Sequence, residues 1–263
     1  MNILEKGMIT DDYSIILPEA QSQTLGQDEE YCILKSSNGA GEQRIRFHDY
    51  RKIYSIPRLY ERLFYKKLKC TSPSTICGYL KEVVDNNDTE FSNMRVLDLG
   101  AGNGMVGEEL NKIGVEQVCG IDIEENAKKA VERDRPDIYK KYLIEDITNM
   151  SVSLTKELES ESFNCMTTVA ALGFGDIPPE AFVKGFNLLS TPAWVAFNIK
   201  ENFISDCDSS GFSILIKKMI DEEVLDIQVQ ERYQHRLSIE GNPLYYVALV
   251  GRKLSNVPED WIL

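Results

Sequence analysis

Three glycines at alternate positions, Gly100, Gly102 and Gly104, separate a short apolar run from an amphipathic one. Without a Cβ at these positions the backbone can turn tightly and come close to a ligand. A helix starting after them would offer its free N–H groups to a nucleotide or a carboxylate. Acids are spaced around this loop: Asp98 just before the first glycine, Asp122 about 20 residues beyond, and Asp146 further on. An ionised carboxylate accepts two hydrogen bonds at once, which suits the cis-diol of a ribose. His48 and His235 are the two histidines of the chain and its candidates for a general base. A structural hydrogen-bonding role fits each equally well. Tyr54 lies close to His48 in a segment that also carries Tyr50 and Tyr60.

The loop supports two readings. Gly102-x-Gly104-x-x-Gly107, with Asp122 beyond it, matches the dinucleotide fingerprint of a nicotinamide-dependent oxidoreductase. Asp98 argues for a ligand that carries positive charge near the loop, because beside a pyrophosphate it would meet like charge. Asp122 also fits a helix N-cap, since Glu125 follows three residues later as in a capping box. Asp146 also fits a simple loop acid.

The elements that must position these residues follow from periodicity. Val96, Leu97 and Leu99 form the apolar run of a buried parallel strand. Met105, Val106, Leu110 and Ile113 recur at helical spacing, and Gly114 ends that helix. Further strands are expected at 117–122, 139–144, 163–169 and 194–199, and helices at 125–134, 178–189 and 212–219. Alternating strands and helices imply a parallel sheet. Runs at 225–233 and 244–250 flank Glu240-Gly241-Asn242-Pro243 and read as a closing hairpin, so one of its strands runs antiparallel to the rest. Ser72 is expected to cap a helix with Pro73 in its first turn, running to Val84.

Upstream, residues 44–69 are basic and aromatic. Pro57 is expected to start a helix with Leu59, Tyr60, Leu63, Phe64 and Leu68 inward. Arg58, Arg62, Lys66 and Lys69 then form one outer stripe. That stripe reads first as a solvated face and second as an electrostatic guide for an anionic acceptor. Residues 36–41 read as a Gly/Ser loop able to act as a hinge, and residues 13–18 as a short strand or extended arm.

The chain has 263 residues, 29 Lys and Arg against 42 Asp and Glu, a net charge of −13 and a pI near 4.8. This balance argues against broad binding to a nucleic-acid backbone, which needs a basic face. With no apolar run of about 18 residues, no membrane span is expected. The N-terminus lacks the pattern of a signal peptide. Six cysteines without a Cys-x-x-Cys pair read as reduced thiols of a cytoplasmic protein, and two histidines without close ligand spacing argue against a zinc site.

The run Asp98-x-Gly100-x-Gly102-x-Gly104 resembles motif I of the class I S-adenosylmethionine-dependent methyltransferases. The reversed strand at the end matches their sheet, and the resemblance covers residues 70–252. It implies a Rossmann-like α/β fold: a seven-stranded sheet with an antiparallel last strand and helices on both faces. Residues 1–69 would be an N-terminal cap or lid, and residues 70–263 the methyltransferase domain. It assigns cofactor contact to Asp98, Leu99, Gly100, Ala101, Gly102, Asn103 and Gly104. Asp122 with Ile123 would hold the ribose, and Asp146 with Ile147 the adenine. His48, Tyr54 and His235 are the catalytic candidates, because extensions before the first strand and the terminal hairpin shape the acceptor pocket in this fold. S-adenosyl-L-methionine is the cofactor implied, no metal is called for, and the acceptor expected is a small molecule, an anionic one included. Where an acid commonly precedes the fourth strand, this chain has Asn164. The Asn/Asp-Pro-Pro-Tyr and Pro-Cys motifs of amide, adenine and cytosine methyltransferases are absent. Gly173-Phe174-Gly175 with Pro178-Pro179 resembles the methyltransferase-like proteins of the Williams–Beuren region. An oxidoreductase, a non-catalytic cofactor- or partner-binding protein, and a tRNA or protein methyltransferase are the alternatives. The oligomeric state is left open, a homodimer included.

Overall fold

The computed structural model describes residues 13–18, 25–37, 41–87, 89–173, 176–204 and 210–261. Its main body is a seven-stranded sheet. The parallel strands are β4 (Arg95–Leu99), β5 (Gln117–Asp122), β6 (Lys141–Ile144), β7 (Cys165–Thr168) and β8 (Ala193–Lys200). A hairpin of β9 (Leu225–Leu237) and β10 (Pro243–Lys253) closes it. The order across the sheet is β6-β5-β4-β7-β8-β10-β9, and β10 pairs antiparallel with both neighbours. The order reverses beside β4, where the strand ends open a crevice for a ligand.

Side chains alternate across the strands. Val96 faces α2 (Ser72–Asp85) and α3 (Met105–Lys112), where Ile76, Leu80, Val84, Val106 and Leu110 complete one core. Leu97 and Leu99 face the opposite side, which is filled from α5 (Val152–Ser160), α6 (Pro179–Asn187) and α7 (Phe212–Asp221) by Leu158, Phe182, Phe186, Phe212 and Leu215. The sheet is thus buried on both faces, as its near-continuous apolar strands require. The sequence pattern alone did not suggest α5. Its apolar residues are sparse, but Ser151 caps it by accepting from the Leu154 N–H.

Residues 13–69 build a second unit. The strands β1 (Tyr13–Ile16), β2 (Tyr31–Ser36) and β3 (Glu42–Arg46) form an antiparallel sheet. Ile15, Cys32, Leu34 and Ile45 pack there on Phe47, Ile53, Leu59, Leu63 and Phe64. Each such buried side chain contributes roughly 2 kcal/mol. The expected hinge at 36–41 is instead a hairpin connection, closed by the Ser36 N–H donating to the Gly41 carbonyl; residues 38–40 lie outside the described residues.

The helix expected from Pro57 keeps its inward face, with Leu59, Leu63, Phe64 and Leu68 buried, but its start and its turn are corrected. Arg58 adopts φ +58°, so Pro57 stays in a turn, and a π-helix spans Glu61–Lys67 with Tyr60 as its N-cap. The wider turn breaks the basic stripe. Arg58 and Lys69 lie outside the π-helix, and Arg62 donates to the Tyr13 carbonyl and lies over the Tyr13 ring. Ser72 is not the cap of α2: Thr71 holds that place, and the Ser72 hydroxyl is used in the interior. Among the described residues no helix is long and apolar enough to cross a membrane. No group of three or more His, Cys, Asp or Glu among them is placed to hold a metal ion.

Candidate active site

A cavity of about 550 Å³ opens at the carboxyl ends of β4, β5 and β7. Gly100 and Gly102, at φ +71° and +53°, carry the chain along its floor. Leu99, Ala101 and Asn103 also line it. The Asn103 carboxamide is committed to Glu61 in the π-helix (2.7 Å), which also pairs with Arg135; this clamps the glycine loop to the N-terminal unit.

Asp122 ends β5 at the cavity wall. One of its carboxylate oxygens accepts the Gly102 N–H and the other the Glu124 N–H, each at 2.8 Å. Each oxygen therefore keeps a lone pair for a second donor. Burial raises its pKa, against the pull of those two backbone bonds. The N-cap of α4 (Glu125–Asp134) is Glu124, so the capping-box reading of Asp122 does not hold. Ile123 reaches the same wall and is 70% exposed, an apolar surface for a flat ring. Asp146 and Ile147 line the cavity beyond β6. Thr148 donates to one Asp146 oxygen through both its N–H and its hydroxyl, and these bonds hold the carboxyl below its usual range.

Two residues expected at the ligand, Asp98 and Gly104, do not line the cavity, so the charge argument built on Asp98 is corrected with them. Asp98 is 1% exposed and shares the Val96 side of β4, as the two-residue period dictates. Its oxygens accept from the Tyr139 and Thr167 hydroxyls at 2.7 and 2.8 Å, tying β4 to β7 and the loop before β6. Burial pushes its pKa up to about 7, against those hydrogen bonds. Gly104 sits behind the floor at φ +86°, where a Cβ would stand 2.6 Å from Ile138. It is needed for the turn into α3.

Opposite the floor, the N-terminal unit supplies His48, Tyr50, Tyr54, Tyr60 and Tyr65. Asp49 caps α1 (Tyr50–Ser55) and sets Tyr50 and Tyr54 one turn apart, with rings stacked at 5.9 Å. Tyr54 packs on Ala127 and Ala130 of α4. Burial keeps the Tyr50, Tyr54, Tyr60 and Tyr65 phenols un-ionised, their pKa values pushed upward. His48 meets Asp176, which lies before α6 in the loop following β7, with Nδ1 3.2 Å from a carboxylate oxygen. Asp176 was not singled out in the sequence. Its neighbours Gly173-Phe174-Gly175 and Pro178-Pro179 marked this loop, and the prolines do start a helix.

His235 does not line this cavity and is corrected as a catalytic candidate. It is 5% exposed, stacks on Tyr246, and its Nδ1 lies 2.6 Å from the Ser72 hydroxyl. Burial and then the adjacent Arg236 push its pKa well down, so it stays neutral. It belongs to an internal chain in which Ser72 and Tyr233 meet Asn198, whose oxygen accepts the Ala170 N–H. Ala170 lines the cavity at φ +56°, a strained conformation for a residue with a Cβ. His235 thus supports the active-site loop from behind. Asn164 is structural too: it accepts from the Arg95 N–H and donates to the Asn93 carbonyl at the far end of the strands.

A family model described as a methyltransferase domain matches residues 73–234. The sequence matches no curated protein. Among solved structures the chain is similar to a Thermoplasma acidophilum protein at TM-score 0.51 and 16% identity, over 77% of this chain and 98% of that one. It is also similar to an S-adenosylmethionine-dependent methyltransferase from Clostridium acetobutylicum at TM-score 0.51 and 13% identity, over 76% of this chain and 97% of that one. These likenesses carry the fold, and the family match, spanning more than half of the chain, carries the membership. The chain belongs to the class I S-adenosylmethionine-dependent methyltransferases.

Proposed function

We propose that this enzyme transfers the methyl group of S-adenosylmethionine to a small molecule held between the glycine loop and the N-terminal unit. The observation that carries this is one cavity reaching from Asp122 and Asp146 to the His48–Asp176 pair. The residues fit the cofactor: both Asp122 oxygens keep an acceptor site for a ribose diol, Gly100 and Gly102 carry the backbone along the floor at positive φ, and Ile123 offers an apolar face to adenine. Asp146 would accept from the adenine amino group and the Ile147 N–H would donate to the ring.

The bound cofactor supplies a methyl group on a positively charged sulfur. The tyrosine-rich wall excludes water and holds the acceptor in line, and positioning of this kind accounts for much of the rate of such displacements. His48, with Nδ1–H turned to Asp176, presents Nε2 as the basic nitrogen and takes the acceptor's proton. The described residues of the 1–69 segment would act as a cap packed on the cavity rather than as a lid on a hinge. The broken basic stripe gives no support to a nucleic-acid acceptor or to an anion guide.

The test has two arms. Asp122→Ala should weaken S-adenosylmethionine binding by about 1–3 kcal/mol in calorimetry, the scale of hydrogen bonds to a charged group. His48→Ala should keep cofactor affinity and lower turnover by a factor of about 10²–10⁴. Normal cofactor binding by folded Asp122→Ala would refute the ribose role, and full turnover by His48→Ala the base role.

A further inference from the structure

We infer that the acceptor is a basic amine and that its nitrogen is the atom methylated, an inference resting on the methyl-transfer reading above. The acceptor wall is aromatic and continuous. Tyr54 meets Tyr50 at 5.9 Å and Tyr60 at 5.3 Å between ring centroids, and Tyr60 meets Tyr65 at 6.0 Å. At these separations the rings pack on one another, so the wall sets un-ionised tyrosine surface, with the partial negative charge of its phenol oxygens, beside the acceptor.

The fixed charge in this wall has the same sign. The Asp176 side chain is 27% exposed and opens on the cavity. Its partners among the described residues are His48 and the Tyr50 hydroxyl at 3.4 Å, and no Lys or Arg among them forms an ion pair with it. Among the described residues, the two arginines nearby are each paired. Arg236, on an adjoining small chamber, is paired with Glu30, and Arg51, 80% exposed, with Glu124. A carboxylate or phosphate acceptor would meet Asp176, and Arg51, the Lys or Arg that lines the cavity among the described residues, already gives its Nε to Glu124. An ammonium group meets complementary charge at Asp176.

The chemistry agrees with the pocket. The ammonium gives one proton to His48, and the freed nitrogen lone pair forms the new N–C bond. The C–S bond breaks with its electron pair left on sulfur, which becomes neutral. The positive charge passes from sulfur to the methylated nitrogen. The aromatic wall and Asp176 therefore favour the charge that develops in the transition state.

The experiment uses the full chain saturated with S-adenosylhomocysteine and calorimetric titration with skeleton-matched probes. Butylamine, phenethylamine and tryptamine are compared with butyrate, 3-phenylpropionate and indole-3-propionate. At least one amine should bind and its acid should not. Asp176→Asn should weaken that amine about tenfold while S-adenosylhomocysteine affinity, which also reports folding, stays the same. With S-adenosylmethionine, mass spectrometry should find that amine N-methylated. Acids binding as tightly as amines, silence from all three amines, or indifference to Asp176→Asn would each overturn the inference. Loss of S-adenosylhomocysteine binding by the unaltered protein would strike the cofactor reading beneath it instead.

Discussion

The Tyr54 hydroxyl stands 2.6 Å from the point that a Cβ on Gly102 would occupy, with the ring carbon Cζ at 3.5 Å. The N-terminal unit and the cofactor loop are fitted to each other at this point. Tyr54 is 7% exposed and held between Tyr50, Tyr60 and α4, so it has little room to yield.

Gly102→Ala is therefore expected to weaken cofactor binding through two separable effects. One is overlap with the Tyr54 hydroxyl. The other is backbone strain at φ +53°, about 1–2 kcal/mol for a residue with a Cβ. Adding Tyr54→Phe removes the overlap alone and should restore part of the affinity. Calorimetry with S-adenosylhomocysteine on both singles and the double mutant measures this. A double mutant no better than Gly102→Ala would show that the fit does not matter.

Asp98 should make stability fall as pH rises. Its carboxyl is held near 7 in the folded state by burial, against an ordinary 3.8. Between those values the native state binds the extra proton. The stabilisation is complete below the lower value and is lost through the upper one, at up to about 1.4 kcal/mol per pH unit. Asp98→Asn keeps the shape without the charge. Its stability curve should be flatter, and its melting temperature should exceed that of the parent most clearly above pH 7. Parallel curves for the two proteins in thermal melts would contradict the assignment.

Glu30→Ala should destabilise the protein by about 3–5 kcal/mol, because it strands a buried guanidinium. Glu30 and Arg236 are 2% and 4% exposed in their side chains, and Glu30 also accepts the Ile239 N–H at 2.7 Å. This pair joins the N-terminal unit to the terminal hairpin, together with the Leu237 N–H donating to the Leu68 carbonyl. Urea denaturation checks the size of the loss. Replacing both partners by apolar residues should cost less than Glu30→Ala alone.

Whatever depends on neighbours along the chain was legible from the residues alone. Strand β5 and helix α4 fall at the expected residues, since their periodicity and bounding residues are local. So are the glycine turn, the stop at Gly114 and the reversed closing strand. The orientation of Asp98 was also within reach, because Val96 and Asp98 share one face of β4 by the two-residue period. Tertiary structure decided the rest. Of the N-terminal strands, β1 falls in the 13–18 run expected as a short strand or arm, whereas β3 exposes four of its five residues and so carries little alternation. The π-helix follows from packing Leu63, Phe64 and Leu68 inward, which local propensity does not dictate. His48 and Asp176 are 128 residues apart, and the Ser72–His235 contact spans 163. Such pairs arise only when the sheet brings distant loops to one end, and burial then sets which histidine faces the cavity and which is sealed behind it.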